Sequence, residues 1–341
     1  MKEQIKAVAL SLGFLDCAFT PALPVPEFEN YQKWIEEDRH ADMAYLATPS
    51  ALERRADPRL LLPSVKTVIS LVSGYPPPSP SAKKTSGKIA AYALQRDYHE
   101  QISERLKQLL VLIGELSGEQ FDALACVDSS PILEKAYAQK AGLGWIGRNS
   151  LLLHPEYGSW IHLSELLVSL EIEADRICVE DGCGDCQLCV RACPTQAILP
   201  NRTVDARRCL SYLSIENRAE IPLEYRKAMG NRIFGCDQCQ MVCPVNKKSK
   251  LTLETPLLKE EASLEESLLI SAEEFKSKYR HSPVWRAKHS GFRRNVAIAI
   301  GNSANSAYLP LLESALERET EPIVIEAMEW ARDTLARGKD I

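Results

Sequence analysis

Cys183-Gly-Asp-Cys186-Gln-Leu-Cys189-Val-Arg-Ala-Cys193-Pro194 sets three thiols two residues apart and a fourth three residues further on, against a proline. A shorter run follows, Cys236-Asp-Gln-Cys239-Gln-Met-Val-Cys243-Pro244, with Cys209 standing between the two. Eight of the eleven cysteines thus fall between positions 183 and 243. This is the ligand spacing of a bacterial two-cluster ferredoxin: a Cys-x2-Cys-x2-Cys loop wraps three corners of a 4Fe-4S cubane, and the Cys before the Pro crosses to the other cluster. Cys183, Cys186, Cys189 and Cys243 are expected to share one cluster. Cys193, Cys236 and Cys239 are one ligand short, and Cys209 is the natural fourth.

Paired Cys-x2-Cys motifs also build tetrahedral zinc sites. The third cysteine at the same interval and the two Cys-Pro endings favour iron-sulfur. Disulfides are disfavoured, because 341 residues can bury an ample core without them. Cys17, Cys126 and Cys178 read as small buried hydrophobes.

Working outward, 341 residues should hold two or three domains. Hydrophobic content of 45% and charged content of 26% are ordinary for a globular protein, and a net charge of -5 argues against a uniformly basic nucleic-acid coat. Ile5, Val8, Leu12 and Leu15 recur at helical spacing with Glu3, Gly13 and Asp16 interrupting, which reads as an amphipathic helix and not as a signal peptide. No stretch has the roughly 20 apolar residues of a membrane span. The cytoplasm is the expected compartment, with no membrane partner.

Residues 1–175 alternate helical patterns with short apolar runs. Val65–Val72, Phe121–Val127 and Leu151–Leu153 read as strands, and Gln101–Glu115 as a helix. Such alternation suggests an α/β layer. The loop from Gly74 to Gly87, rich in Pro, Ser and Lys, can continue neither element. Residues 176–250 form a ferredoxin-like insert for both clusters. From 251 to 341 the chain reads as helical, with Phe292–Asn302, Tyr308–Leu316 and Ile323–Leu335 resembling paired HEAT-type helices. The expected class is therefore a mixed α+β and α/β multidomain protein.

Gly142-Leu-Gly-Trp-Ile-Gly147 matches the dinucleotide fingerprint in letters only. That fingerprint needs a strand before it and a helix after it. Here Pro131–Lys140 reads as a helix and Asn149–Leu153 as a strand, so the order is reversed. The glycines instead permit a helix end, a tight turn, or close approach of backbone to something flat or bulky.

Five segments together make the chain resemble the epoxyqueuosine reductase family: Val127-Asp-Ser-Ser-Pro-Ile-Leu-Glu134, Ala141-Gly-Leu-Gly-Trp-Ile-Gly-Arg-Asn149, Glu156-Tyr-Gly-Ser-Trp160, Asp205-Ala-Arg-Arg-Cys-Leu-Ser-Tyr-Leu213 and Gly230-Asn-Arg-Ile-Phe-Gly-Cys-Asp-Gln-Cys-Gln240. The resemblance runs from the N-terminal helix to about residue 335. It implies an enzyme that uses cobalamin and two 4Fe-4S clusters to reduce the epoxide of epoxyqueuosine at the tRNA wobble position. It further implies an N-terminal α/β cobalamin-binding domain, with Arg55, Asp128, Gly147, Arg148, Asn149, Leu152, Leu163, Ser211 and Asp237 framing the corrin. No Asp-x-His-x-x-Gly motif offers a histidine to cobalt, and none of the six histidines stands out as a substitute.

Removing an epoxide oxygen takes two electrons and protons to release water. Asp128, at the end of a predicted strand, is the expected proton donor, its pKa raised toward the operating pH; otherwise it caps the following helix. Asp97-Tyr98-His99 is a secondary polar cluster that also reads as a surface helix start. From Lys276 to Arg294 there are seven Lys or Arg, two His and no acid, interleaved with Tyr279, Trp285 and Phe292, a pattern suited to phosphates and flipped bases. Arg232, Arg286, Lys288, Arg293 and Arg294 are the expected tRNA contacts. Lys247, Lys248, Lys250, Arg207, Arg208 and Arg218 could extend the track. The partners expected are tRNA with queuosine-type anticodon loops and an external electron donor, bound by a monomer. The competing readings are a ferredoxin-like electron carrier, which leaves the first 175 residues without purpose, and a reductive dehalogenase-like cobalamin enzyme, which leaves the basic stretch without one.

Overall fold

The computed structural model describes residues 1–78, 86–175, 179–251 and 261–337. Its strands are β1 (Asp16–Pro21), β2 (Thr67–Gly74), β3 (Gly87–Ile89), β4 (Ala123–Cys126), β5 (Trp145–Ile146), β6 (Leu152–Leu153), β7 (Ile161–Val168), β8 (Arg232–Phe234) and β9 (Glu261–Ala262). Helix and sheet are mixed throughout. Among the described residues no helix is long and apolar enough to cross a membrane. Cys178 and residues 79–85 of the Pro/Ser/Lys-rich loop lie outside the described residues.

The main sheet has the order β1-β2-β7-β4, and every pairing is antiparallel. This corrects the α/β layer expected from alternation: the connections return each strand against its neighbour instead of crossing over. Central β2 is buried on both faces, which its Val68, Ile69, Leu71 and Val72 suit. Ile69 and Leu71, with Leu166 and Val168, pack on the helices Lys2–Ser11 and Tyr98–Ser117 through Ile5, Ala9, Ile102, Leu106, Leu109 and Ile113. Val68, Val72 and Leu167 face the helix Glu134–Lys140 through Ala136, Tyr137 and Ala138. β1 and β7 gave no periodic signal. Ser164 and Glu165 interrupt the apolar run of β7 and are nonetheless buried.

The helix expected from Pro131 begins at Glu134, and residues 128–133 instead form the loop that enters the site. Its end runs into the hairpin of β5 and β6. A Cβ on Gly144 would stand 2.2 Å from the Leu153 carbonyl oxygen, so this turn needs glycine for close backbone approach.

The C-terminal helices Lys288–Gly301, Leu309–Leu316 and Pro322–Arg337 do not make a core of their own. Val296, Ile298, Leu312 and Met328 share one apolar cluster with Leu210, Leu213, Met229 and Phe234 from the cysteine-rich region and with Ile89 and Leu94. The boundary expected at 250/251 therefore cuts through a core rather than between two.

Candidate active site

A cavity of about 880 Å³ lies where the sheet, the cysteine-rich region and the Asp128 loop meet. That is near the upper end of ordinary small-molecule sites, roughly 300–1,000 Å³. Of the residues expected to frame the corrin, Arg55, Asp128, Asn149, Ser211 and Asp237 line it, while Gly147, Arg148, Leu152 and Leu163 do not.

The four thiols of Cys193, Cys209, Cys236 and Cys239 also line the cavity. Cys209 has Cys236 and Cys193 as its charge neighbours, whereas Cys189 has Cys183, Cys243 and Cys186. Cys239 feels Cys189 as well, so the two groups adjoin. The group of Cys183, Cys186, Cys189 and Cys243 reaches solvent at the exposed Cys186 and rests against Trp145, Leu153 and Val245. All ten described cysteines are free. Cys17 and Cys126 are buried.

The donor set suits iron-sulfur centres. The Trp145 indole N–H donates to Cys183 Sγ at 3.4 Å and the Ala197 amide to Cys193 Sγ at 3.2 Å, bonds that favour a thiolate. Among the described residues no three His, Cys, Asp or Glu side chains gather as a single ion requires. A cubane spreads its thiolates more widely than the shell of one zinc ion.

Asp128 ends the stretch after β4 with φ +52°, and its carboxylate points to the start of the helix Tyr98–Ser117. Tyr98 Oη donates to Asp128 Oδ2 at 2.9 Å, and His99 Nε2 lies 3.2 Å from the same oxygen. Asp97 caps that helix through the His99 amide and holds His99 Nδ1 at 2.7 Å. The cluster read as a surface helix start is thus both the cap and the partner of Asp128. Tyr98 stacks on His162, with ring centroids 3.9 Å apart and planes 9° from parallel.

The electrostatics overturn one expectation. Desolvation by the cavity walls pushes the Asp128 carboxyl up although its side chain is 55% exposed, but hydrogen bonds from His99 and Tyr98 outweigh it and hold the pKa below the ordinary carboxylate value. Burial pulls His99 down, yet its bonds to Asp128 and Asp97 win and raise it to about 9. At neutral pH the proton sits on His99 and Asp128 is ionised. His162 is pushed by burial to about 3 and is neutral.

The far wall has the makings of a cofactor cradle. A Cβ on Gly147 would meet Leu153 Cδ1 at 2.7 Å and Asn149 Oδ1 at 2.9 Å. Asn149, which lines the cavity, has its Nδ2 buried without a partner among the described residues, as it would be if awaiting a polar ligand. Arg55, buried and set over the Tyr31 ring at 5.3 Å, presents a cation to the same space.

The expected tRNA track is corrected in three places. Arg294 is 1% exposed, and its guanidinium donates to the carbonyls of Leu213, Asn217 and Ala219 and to Asn295 Oδ1. Arg293 donates to Leu268 O at 2.7 Å and pairs with Glu319 at 2.5 Å. Arg232 donates to Met229 O and Gln238 Oε1, and its charge favours the Cys236 thiolate. Tyr279 and Phe292 are buried in the core and cannot stack on bases. Lys276, Lys278, Arg280, Arg286 and Lys288 remain exposed. Arg286 pairs with Glu216, donates to Tyr45 Oη at 3.1 Å, and is near enough for its charge to act on Asp128. Tyr45, 51% exposed, had no signal in sequence, and Glu134, which lines the cavity, had only its place at the end of a family segment.

Two family models match the chain: "Epoxyqueuosine reductase QueG, DUF1730" over residues 55–129 and "4Fe-4S double cluster binding domain" over residues 182–246. The epoxyqueuosine reductase of Shewanella oneidensis is 40% identical over 345 residues, covering 96% of this chain and 86% of that protein. A crystal structure of epoxyqueuosine reductase with an epoxyqueuosine-modified tRNA-Tyr stem loop superimposes with TM-score 0.84 at 27% identity, covering 98% of each chain. The Bacillus subtilis enzyme, solved with its catalytic aspartate loop swung out of the active site, gives 0.83 at 27% identity and the same coverage.

Proposed function

The chain belongs to the epoxyqueuosine reductase family and is an iron-sulfur oxidoreductase of queuosine synthesis, and from that premise we propose that it reduces epoxyqueuosine in tRNA at the cavity, with cobalamin bound there and Asp128 passing the proton to the departing oxygen. The observation that carries this reading is the shared wall: the second thiol group, the polar cradle around Asn149 and the Asp128 carboxylate open onto one space. When bound, the two clusters supply one-electron transfer and cobalamin supplies the low-potential metal centre at which two electrons can be gathered. Arg55, Asn149, Ser211 and Asp237 would hold the corrin. Cys183, Cys186, Cys189 and Cys243 would hold the outer cluster, and Cys193, Cys209, Cys236 and Cys239 the one next to the cavity.

The protein's own part is binding and proton delivery. Epoxide to alkene consumes two electrons and two protons and releases water. His99 stores one proton beside Asp128, and Tyr98 and His99 together fix the Asp128 carboxyl toward the cavity. The tRNA loop that carries the substrate would reach this mouth past Tyr45 and Arg286, with the exposed cations of residues 276–288 along its backbone and the HEAT-like C-terminal helices behind them.

Anaerobic reconstitution with iron, sulfide and cobalamin, followed by reduction and mass spectrometry of tRNA nucleosides, tests the whole reading. Queuosine should form only when cobalamin is present. Conversion without cobalamin, or activity on small organohalides with none on tRNA, would refute it. The Arg286→Ala/Lys288→Ala variant should weaken tRNA binding and lower the salt slope by about one to two, since each phosphate contact contributes about 0.9. Cluster absorbance should be unchanged, and an unaltered slope would place the tRNA elsewhere. Changing Arg293 and Arg294 would instead report on folding.

A further inference from the structure

Asp128 is held at its side chain by Tyr98 and His99, but its main chain has a third tether. The Asp128 amide donates to Glu134 Oε1 at 2.6 Å, closing residues 128–134 into a ring. A residue with a Cβ at φ +52° occupies a sparsely populated region, and the surrounding bonds must keep it there. We propose that Glu134 is a positioning residue: its carboxyl anchors the Asp128 main-chain N–H and thereby fixes where the Asp128 side chain points. The inference rests on the role given to Asp128 above.

A second, independent observation concerns what lies behind Glu134. Glu165 of β7 is 0% exposed, opposite Ser70 on β2 and Cys126 on β4. Among the described residues no N–H or O–H reaches either of its oxygens. Its polar neighbour is the Glu134 carboxyl. Two adjoining carboxyls in a dry site cannot both ionise, and one can bond to the other only if one carries a proton. Burial raises the pKa of Glu165, and the Glu134 charge raises it further; burial and then the Asp128 charge raise Glu134. A neutral Glu165 donating to Glu134 braces that side chain and leaves Oε1 free to accept from Asp128. A buried carboxylic acid under the sheet, costly to folding and far from any surface pair, has this one evident use.

Glu134→Met keeps the bulk and removes the acceptor, whereas Glu134→Gln keeps an amide oxygen that can still accept. Both are compared in the reconstituted holoenzyme by hydrogen exchange of segment 127–133 and by turnover. In Glu134→Met the Asp128 amide should exchange about 10- to 100-fold faster and kcat should fall by a similar factor, as for a buried donor left without its acceptor. KM for tRNA should hold within about twofold, because the loop's aim and not its contact surface is changed. Glu134→Gln should recover most of both losses. Combined with Asp128→Asn, Glu134→Met should cost nothing further, since it acts through Asp128. Unchanged exchange in Glu134→Met, or a loss that multiplies with that of Asp128→Asn, overturns the proposal. If Asp128→Asn proves fully active, the role of Asp128 fails, and exchange alone still decides whether Glu134 is the anchor.

Discussion

Asp128→Asn should lower epoxyqueuosine turnover about 10²- to 10⁴-fold, the usual share of a general acid, while cobalamin and tRNA still bind. Asparagine keeps the shape and still accepts from Tyr98 at 2.9 Å, but it has no proton to give. A near wild-type rate in this variant would leave Asp128 a loop cap. The pH profile separates the two carriers. With the carboxyl held low and His99 raised to about 9, the proton store is full at neutral pH and empties as pH rises through about 9. Activity should decline over that window in single-turnover assays across pH, and His99→Asn should abolish this limb. Stability follows the same signs. The His99 contribution is whole below its ordinary value near 6.5 and lost as pH rises through about 9, while that of Asp128 is present above its ordinary value and lost as pH falls through its lowered one.

Cys209→Ala should be the most damaging single change at the clusters. Its thiol stands with Cys236 and Cys193 on the cavity wall, and no other described cysteine is placed to replace it. Iron per chain should fall by about half, or the inner cluster should convert to a three-iron form, and reduction of tRNA should cease. The outer cluster should keep its signal. Iron analysis and paramagnetic spectra of the purified variant check this, and undiminished iron with an unchanged spectrum would remove Cys209 from the ligand set.

The chain's own order made some of this legible. Thiol spacing is local chemistry, since a loop of Cys-x2-Cys-x2-Cys must wrap something of cubane size whatever surrounds it. Strand β2 and the helix Tyr98–Ser117 also announced themselves, because Val68 to Val72 and the series Ile102, Leu106, Leu109, Ile113 carry their own periods. Strand β7 did not, because Ser164 and Glu165 break its apolar run although the fold buries both.

What the sequence determined by itself is therefore the double-cluster motif, the family and the elements whose apolar period is complete within a few turns. Tertiary structure alone decided which charges face water and which protons are held. Arg294 reads as a phosphate contact in a run of cations, yet three carbonyls on residues 213 to 219 fold around it and make it part of the core. Asp128 reads as an acid awaiting a raised pKa, yet His99, 29 residues away in sequence, takes the proton from it. Nothing in the sequence joins Glu134 to Glu165, yet the fold sets the two carboxyls side by side. Burial and contact between distant residues set the energy of a charge, and neither has a period that a sequence can display.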